Sequence, residues 1–204
     1  MLSPVLFVLA SLATEESVER ITVQGQYRAT YVNEAPTSAS VMTRDAIEAR
    51  HGTHMEEVLN RIPNLNFSSG SSRARFIQIR GVGERSQFVD PINPSVGILM
   101  DGINYSGLGQ AAQLFDISQV EVYRGPQSGR FGADGMAGMV VLASTLPDSE
   151  FHGHWQLGVA NYGGVEGGLA VGGRAGALGR VRLSIYQQAD DGFIENTYLQ
   201  RDDT

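Results

Sequence analysis

The pattern of apolar and polar positions divides the chain into three zones. Residues 14 to about 40 are polar, apart from one short β-like run at 20–24. A zone of short helical and strand patterns follows and reaches about Pro147. From Phe151 onward the helical patterns cease, and apolar residues alternate with glycine or polar residues. These zones predict a small α+β domain followed by antiparallel strands.

Two short helices are indicated in the middle zone. The first is predicted from about Asp45 to His51, where Gly52 ends it. Thr53 and Glu56 have the spacing of a capping box at the start of the second helix, and Pro63 ends that helix. Apolar residues of the second helix recur at i, i+3, i+4 and i+7: Met55, Val58, Leu59 and Ile62. This stripe predicts packing against a core.

Strands are predicted from four runs of β-branched and other apolar residues bounded by turn residues. These runs are Phe76–Arg80, Val96–Met100, Gln119–Tyr123 and Met139–Ala143. With the two helices ahead of them and short connections between them, they favour a small mixed sheet.

The last zone consists of segments of about ten residues, each with one apolar face and one small or polar face. One such face is formed by Trp155, Leu157 and Val159, and another by Val181, Leu183 and Ile185. This alternation is typical of transmembrane β-strands, but a water-soluble antiparallel sheet with one wet face alternates equally well. Only about three or four strands fit after Pro147, whereas a bacterial barrel takes at least about eight. This chain therefore cannot close a barrel alone.

Composition and charge narrow the class of protein. Hydrophobic residues make up 42% of the 204 positions and charged residues 18%, which excludes a disordered, highly charged tail. The formal net charge of −7 gives no basic footprint, so we expect no nucleic-acid partner. The absence of cysteine excludes disulfides, thiolate metal sites and a cysteine nucleophile.

The first residues suggest export. Leu2–Ala13 is a mostly apolar stretch whose length suits the hydrophobic region of a secretory signal, and Ser11 and Ala13 are small enough for cleavage before Thr14. No lysine or arginine precedes this stretch, so a buried strand or helix is the alternative. We predict that residues 1–13 are a signal peptide or its remnant.

No pattern of catalytic residues is present. His51 and His54 lack the glutamate of a zinc-protease motif and lie on either side of Gly52, which would splay their rings. The Gly-x-Ser-x-Gly turn of hydrolases does not occur. We therefore predict no enzyme activity, no cofactor and no metal site.

Four motifs follow one another in the middle zone, after the helix end Leu59–Pro63 (LNRIP). They are Arg75–Gly81 (RFIQIRG), Val96–Gly102 (VGILMDG), Ile117–Ser128 (ISQVEVYRGPQS) and Arg130–Gly138 (RFGADGMAG). In this order and spacing the set resembles the plug domain of TonB-dependent outer-membrane receptors. The resemblance covers about Val18 to Leu146, and the alternating tail is similar to the first strands of the receptor barrel.

The resemblance implies an α+β plug domain with a small mixed sheet and short helices, followed by antiparallel transmembrane-type strands of an incomplete barrel. The expected boundaries are residues 14–35 for an N-terminal segment like a TonB box, 36–148 for the plug, and 149–204 for the first barrel strands. Because the chain stops at Thr204, we expect a gene fragment or a truncated sequence.

The resemblance also implies a function, energy-coupled uptake of a scarce large solute, most often a ferric siderophore, across the outer membrane. The expected partners are a TonB-type energy-coupling protein, outer-membrane lipid and the solute itself. The alternatives are a stand-alone soluble periplasmic binding module and a non-functional fragment. The sequence after Thr204 would distinguish them, because a receptor needs many further strands.

The segment Glu19, Ile21, Thr22 and Val23 is similar to the TonB box. A free strand exposes backbone donors and acceptors, which a partner's sheet edge can take up by β-augmentation. Since the outer membrane has no ATP, work would arrive by pulling on this strand. The alternative interpretation is that these residues form the first strand of the plug sheet.

Two further sets of residues follow from the resemblance. In the family, arginines at the positions of Arg80 and Arg124, the latter followed by Gly125 and Pro126, look like latch residues that pair with carboxylates on the inner barrel wall. The alternative is that they are solvated surface arginines. Candidate ligand contacts are three arginines that could attract an anionic chelate and two aromatic residues that could stack on it, unless they are ordinary loop residues: Arg73, Arg75, Arg85, Phe88 and Tyr105.

Overall fold

The computed structural model describes residues 21–23, 25, 30–49, 52, 54–69, 74–85, 93–106, 112–127, 129, 132–192, 194–196 and 201–203. In chain order its elements are β1 (Thr22–Val23), β2 (Thr30–Tyr31), β3 (Ser38–Thr43), α1 (Arg44–Glu48), α2 (Met55–Leu59), β4 (Leu65–Ser69), β5 (Ala74–Ile79), β6 (Val96–Met100), β7 (Ile103–Asn104), β8 (Ile117–Arg124), β9 (Gly138–Ser144), β10 (His152–Val159), β11 (Val165–Arg174), β12 (Arg180–Ala189), β13 (Ile194–Asn196) and β14 (Arg201–Asp203).

A mixed sheet, here called the plug sheet, forms the centre of the described chain, in the strand order β3-β8-β9-β6-β7. Strands β6 and β9 run parallel, and the other neighbouring pairs are antiparallel. Side chains alternate across each strand, so Val120 and Val122 lie on one face of β8 and Tyr123 on the other. Both faces are covered, which explains the nearly continuous apolar run of β9.

Two core clusters lie on the two faces of the plug sheet. The first cluster includes α2 and the β4–β5 hairpin, and its buried members include Met55, Val58, Leu59, Ile79, Val120, Val122 and Leu142. The second cluster is smaller and consists of Val23, Leu99, Tyr123, Met139 and Val141. Val23 comes from the N-terminal strand β1, so a short segment of chain covers this face.

The strands β10, β11 and β12 form a separate antiparallel sheet, here called the wall sheet, with continuous register from one strand to the next. Its apolar face points outward, where Trp155 is 72% and Leu183 is 60% exposed. Its opposite face carries polar side chains toward the plug, and Phe115 of the plug stacks on Tyr186 with ring centroids 5.3 Å apart. A soluble sheet would bury the apolar face, so this orientation is that of a transmembrane wall.

The structure confirms the middle parts of the predicted elements and corrects their ends. The predicted capping box of Thr53 and Glu56 is wrong by one residue, because the backbone N–H of His54 donates to Glu57 Oε2 at 3.3 Å. His54 is extended and bridges to Gln113, so the helix begins after it. Helix α1 ends at Glu48 instead of about His51, and Arg80 lies outside strand β5 with a φ of 54°. No helix among the described residues combines the length and apolar character needed to cross a membrane.

Candidate functional site

The register of the plug sheet defines two ends that carry different functional candidates. At one end, here called the wall-joined end, Ile117 is paired with Ser144, and the chain continues from there into β10. At the other end, here called the far end, Arg124 is paired with both Ser38 and Gly138. The contacts that join the plug to the wall sheet lie at the wall-joined end.

An ion pair connects the plug to the wall sheet. Arg182 donates from Nε to Asp116 Oδ2 at 2.7 Å and from Nη2 to Asp116 Oδ1 at 2.6 Å. The two side chains are only 11% and 7% exposed, respectively. Such a bidentate geometry is the strong form of an arginine–carboxylate contact. Removing Asp116 would leave the mostly buried charge of Arg182 without this carboxylate.

Other plug residues hold Asp116 in position. Arg44 Nη2 approaches Asp116 Oδ1 at 3.3 Å and also donates to the hydroxyl of Thr145. The backbone oxygen of Asp116 accepts hydrogen bonds from the N–H and the hydroxyl of Thr145. Asp116 therefore lies at the junction between the start of β8 and the chain that leaves β9.

Opposing effects act on the pKa of Asp116. Burial raises the pKa of this carboxyl, whereas hydrogen bonds from Arg182 and Thr145 and the charges of Arg182 and His154 lower it. The net result is a pKa below the ordinary value of 3.8. The charged form is thus the favoured form in the folded protein.

Sequence analysis missed this ion pair. It assigned the latch to plug arginines with partners on the wall, whereas here the carboxylate belongs to the plug and the arginine to the wall. The available signal was Arg182 itself, a charged residue on the polar face of an otherwise apolar strand. Asp116 gave no signal, because it lies 66 positions from Arg182 in a turn before β8.

The two predicted latch arginines are brought to one turn. Arg124 Nη1 donates to the backbone oxygen of Pro63 at 3.3 Å. The backbone N–H of Arg80 donates to the backbone oxygen of Asn64 at 2.8 Å. Arg124 also donates to the hydroxyls of Ser38 and Ser40. Within the described residues, the exposed guanidinium of Arg80 forms no ion pair. The latch role of both arginines stays a prediction.

Gly125 and Pro126 form the turn after β8. Gly125 has a φ of 116°, a conformation that side chains rarely adopt, and its N–H donates to the oxygen of Ala137 at 2.9 Å. Pro126 is exposed and lacks the N–H that would extend the strand. These residues fix where Arg124 lies at the far end.

The residues similar to a TonB box are docked on the plug. Thr22 and Val23 pair with Tyr31 and Thr30, respectively, in a two-stranded sheet of their own, so they are not a strand of the plug sheet. Ile21 O accepts a hydrogen bond from the N–H of Val32 at 3.0 Å. Glu19 lies outside the described residues, as do residues 1–13 of the predicted signal peptide.

The predicted ligand contacts are only partly described. Arg85 is exposed, and its guanidinium donates to Gly81 O at 3.1 Å. The carboxylate of the preceding residue, Glu84, accepts hydrogen bonds from the N–H and the hydroxyl of Ser95. Tyr105 is 38% exposed. Arg75 lies in strand β5 instead of a loop, and its side chain is outside the described part. Arg73 and Phe88 lie outside it altogether.

Among the histidine, aspartate and glutamate side chains of the described residues, no group of three or more is arranged to hold a metal ion.

We predict that Asp116 and Arg182 act as one unit in stability. Asp116→Asn should lower the free energy of unfolding by about 3 kcal/mol, because it leaves the buried guanidinium of Arg182 without its carboxylate. Arg182→Gln should lower it less, because Arg44 still approaches Asp116. The double variant should lose about as much as one single variant. Urea titration in detergent, followed by the fluorescence of Trp155, measures these values. Arg180→Gln on the same strand is the matched control and should lower the free energy of unfolding by less than about 0.5 kcal/mol. If the loss in the double variant equalled the sum of the losses in the two single variants, the prediction would be wrong.

The lowered pKa of Asp116 predicts acid lability. The stability that this group contributes is fully present above the ordinary pKa of 3.8 and is lost as the pH falls through the lower pKa of the folded state. Free energies of unfolding between about pH 2 and pH 6 should therefore decrease more in the parent than in Asp116→Asn. Equal slopes in both proteins would show that Asp116 does not contribute.

Comparisons with known proteins agree with the described fold. A family model described as the TonB-dependent Receptor Plug Domain matches residues 32–139, more than half of the chain. The pesticin receptor of Yersinia pestis is 25% identical over 177 residues, which cover 81% of this chain and 24% of that receptor.

Solved structures of outer-membrane receptors share the fold of this chain. The ferric yersiniabactin uptake receptor FyuA from Yersinia pestis superposes with a TM-score of 0.71 at 25% identity, covering 81% of this chain and 26% of that one. The ferripyoverdine receptor of the outer membrane of Pseudomonas aeruginosa has a TM-score of 0.72 at 21% identity, covering 85% and 23%, and supports the fold alone. The chain spans about a quarter of the length of these relatives. It belongs to the plug-domain family of TonB-dependent receptors, which are proteins of the Gram-negative outer membrane.

Proposed function

We propose that this chain supplies the plug and the first wall strands of an outer-membrane receptor that takes up a ferric siderophore. The observation that carries the proposal is the Asp116–Arg182 ion pair, which ties the plug to a sheet whose apolar face points outward. A plug held inside a lipid-facing wall is the arrangement that a gated uptake channel requires.

The substrate class is supported by the names of the relatives. FyuA is named as a ferric yersiniabactin uptake receptor, and the Pseudomonas aeruginosa protein as a ferripyoverdine receptor. Arg85 and Tyr105 are exposed, and Arg85 is joined through Glu84 and Ser95 to the start of β6 at the far end. A cationic and an aromatic side chain suit a bulky, anionic ferric chelate. Arg73, Arg75 and Phe88 complete the proposed set.

The latch role belongs to the same proposal. Arg124 through its guanidinium and Arg80 through its backbone N–H both contact the turn of Pro63 and Asn64, so both residues lie at the far end of the plug sheet. Carboxylates on the facing wall would hold the plug closed at the far end, as Asp116 and Arg182 do at the wall-joined end.

Energy would enter through the N-terminal segment, defined as Ile21–Val23 and Gly25. Its strand β1 is only two residues long, and a partner sheet could replace that short pairing by β-augmentation. A TonB-type protein is the proposed partner, and its pull on the segment would open the plug.

We predict that Ile21→Pro lowers the uptake of the ferric siderophore and leaves its binding to the receptor unchanged. Proline removes a backbone donor and fixes φ, so a partner strand cannot pair there. In a complete receptor that contains this chain, uptake of radioactive iron supplied as ferric yersiniabactin or ferripyoverdine should fall about tenfold or more, with solute binding to whole cells unchanged. Ser17→Pro, outside the similarity to the TonB box, is the control and should retain uptake. Undiminished uptake in Ile21→Pro, or no uptake of any ferric siderophore by the unsubstituted complete receptor, would refute the proposal.

The competing function, a soluble periplasmic binding module, makes the opposite prediction about location. With Trp155, Leu157 and Leu183 exposed on one face, the chain should fractionate with outer-membrane detergent extracts. Recovery of folded chain in the osmotic-shock fluid would favour the module. A marker enzyme of the periplasm serves as the fractionation control.

A further inference from the structure

Two side chains of opposite charge follow one another at the far end of the plug sheet. Glu84 is half-buried, and Arg85 is exposed. Long side chains on neighbouring loop residues can reach each other, and an exposed ion pair of this kind contributes up to about 1 kcal/mol. Among the described residues, however, the ion pairs involve neither Glu84 nor Arg85. The structure therefore keeps apart two charges that attract each other.

The carboxylate of Glu84 is bound to Ser95 instead. Glu84 Oε1 accepts a hydrogen bond from the N–H of Ser95 at 2.9 Å and another from its hydroxyl at 2.9 Å. Hydrogen bonds to a carboxylate are about twice as strong as those between neutral groups. Ser95 is itself held by the plug sheet, because its backbone oxygen accepts from the N–H of Ala137 at 2.8 Å and β6 begins at the next residue. The position of this acceptor oxygen is thus fixed from the sheet.

The backbone of Glu84 is fixed by a second, independent set of contacts. Gln78 of β5 is only 6% exposed, and its Nε2 donates to the backbone oxygen of Glu84 and to the hydroxyl of Ser68. Gly83 lies so close to β5 that a Cβ there would be 2.3 Å from the backbone oxygen of Ile77, and its φ of 149° favours glycine. The chain is therefore held against β5 directly before Arg85.

The guanidinium of Arg85 keeps its charge uncompensated by the one contact that the structure gives it. Nη2 donates to the backbone oxygen of Gly81 at 3.1 Å. A carbonyl oxygen is neutral, and a guanidinium carries five N–H donors in a planar fork that matches a carboxylate or a similar anion. The contact with Gly81 thus orients the side chain and leaves its charge available to an anionic group.

We propose that Ser95 holds the carboxylate of Glu84 away from Arg85 and so keeps Arg85 available to an anionic group of the solute. This inference rests on the proposed function and deepens it, because it adds two positioning residues, Glu84 and Ser95, neither of which has to touch the solute. A released Glu84 would compete with the solute for the guanidinium. The arrangement therefore favours a solute that presents an anionic group at this position over one that presents a neutral or cationic group.

The reactivity of Arg85 towards phenylglyoxal tests the proposal without any solute. Phenylglyoxal modifies guanidinium groups, and a carboxylate paired with the guanidinium hinders the reaction. The rate at Arg85 is measured by mass spectrometry of proteolytic peptides, in a complete receptor that contains this chain. Arg61, which is also exposed on the plug, gives the reference rate in the same samples.

Ser95→Ala removes the hydroxyl donor and should lower the rate at Arg85 by about two- to fivefold, because Glu84 can then pair with Arg85. Ser95→Thr keeps the hydroxyl and is the matched control, with the rate of the unsubstituted receptor. Glu84→Gln carries no charge, so it should leave the rate unchanged by itself and restore it when combined with Ser95→Ala. Sodium chloride at about 1 M screens exposed charges and should also reverse the loss in Ser95→Ala.

Each outcome decides the proposal. A lower rate in Ser95→Ala that both Glu84→Gln and salt reverse supports it. An unchanged or higher rate overturns it, and so does a loss that persists in the double variant or that Arg61 shares, since Ser95 would then act on the structure of the plug alone. The rates require neither solute nor transport, so a lack of siderophore uptake would refute the proposed function and leave this result intact.

Discussion

Strand β8 is hydrogen-bonded along both edges and covered on both faces, and this constraint joins the functional parts of the molecule. One face contributes Val120 and Val122 to the larger core, and Glu121 and Gln119 on the other face bind the backbone of Gly25 and Thr22. Asp116 precedes the strand and binds the wall, while Arg124 ends it at the proposed latch. A displacement of any one of these contacts is therefore transmitted to a strand that the others share.

The wall sheet differs from the plug sheet in having one apolar and one polar face. Its outward face is apolar, and its inward face offers polar groups such as Arg182 and Tyr186 to the plug. Glu166 accepts from Gln156 at 2.9 Å and from Tyr186 at 2.7 Å, so polar groups on the inner face are hydrogen-bonded to one another. Water can replace polar contacts between plug and wall, which the proposed opening of the plug would require.

The sequence predicted those elements whose stability is local or periodic. The stripe of α2 and the four apolar strands follow from spacing alone, and the motifs around them identified the family. Strand β3 (Ser38–Thr43) was missed, because it lacks an alternating pattern and its pairing with β8 is a tertiary contact. The cap of α2 shifted by one residue for a similar reason, since the bridge between His54 and Gln113 decides where the helix begins.

The site was less predictable than the fold, because its contacts join residues far apart in sequence. Arg80 and Arg124 were singled out separately, but only the fold shows that they share a turn. Glu121 did leave a signal, since the run QVEVY places Gln, Glu and Tyr on one face of an apolar strand. Three polar residues on one face of a central strand require partners, and here they bond to one another and to the backbone of the N-terminal segment.

Strand β8 is the point at which two distant parts of the chain meet the plug sheet. Glu121 Oε2 accepts from the N–H of Gly25 at 2.8 Å, and Asp116, directly before the strand, holds Arg182 of the wall sheet in a bidentate ion pair. A hydrogen bond to a charged group contributes about 1.5–3 kcal/mol, and breaking a mostly buried ion pair costs about 3–5 kcal/mol. With the burial of Val23 added on the side of the N-terminal segment, the two attachments are of similar strength, so neither of them is weakly held to the strand.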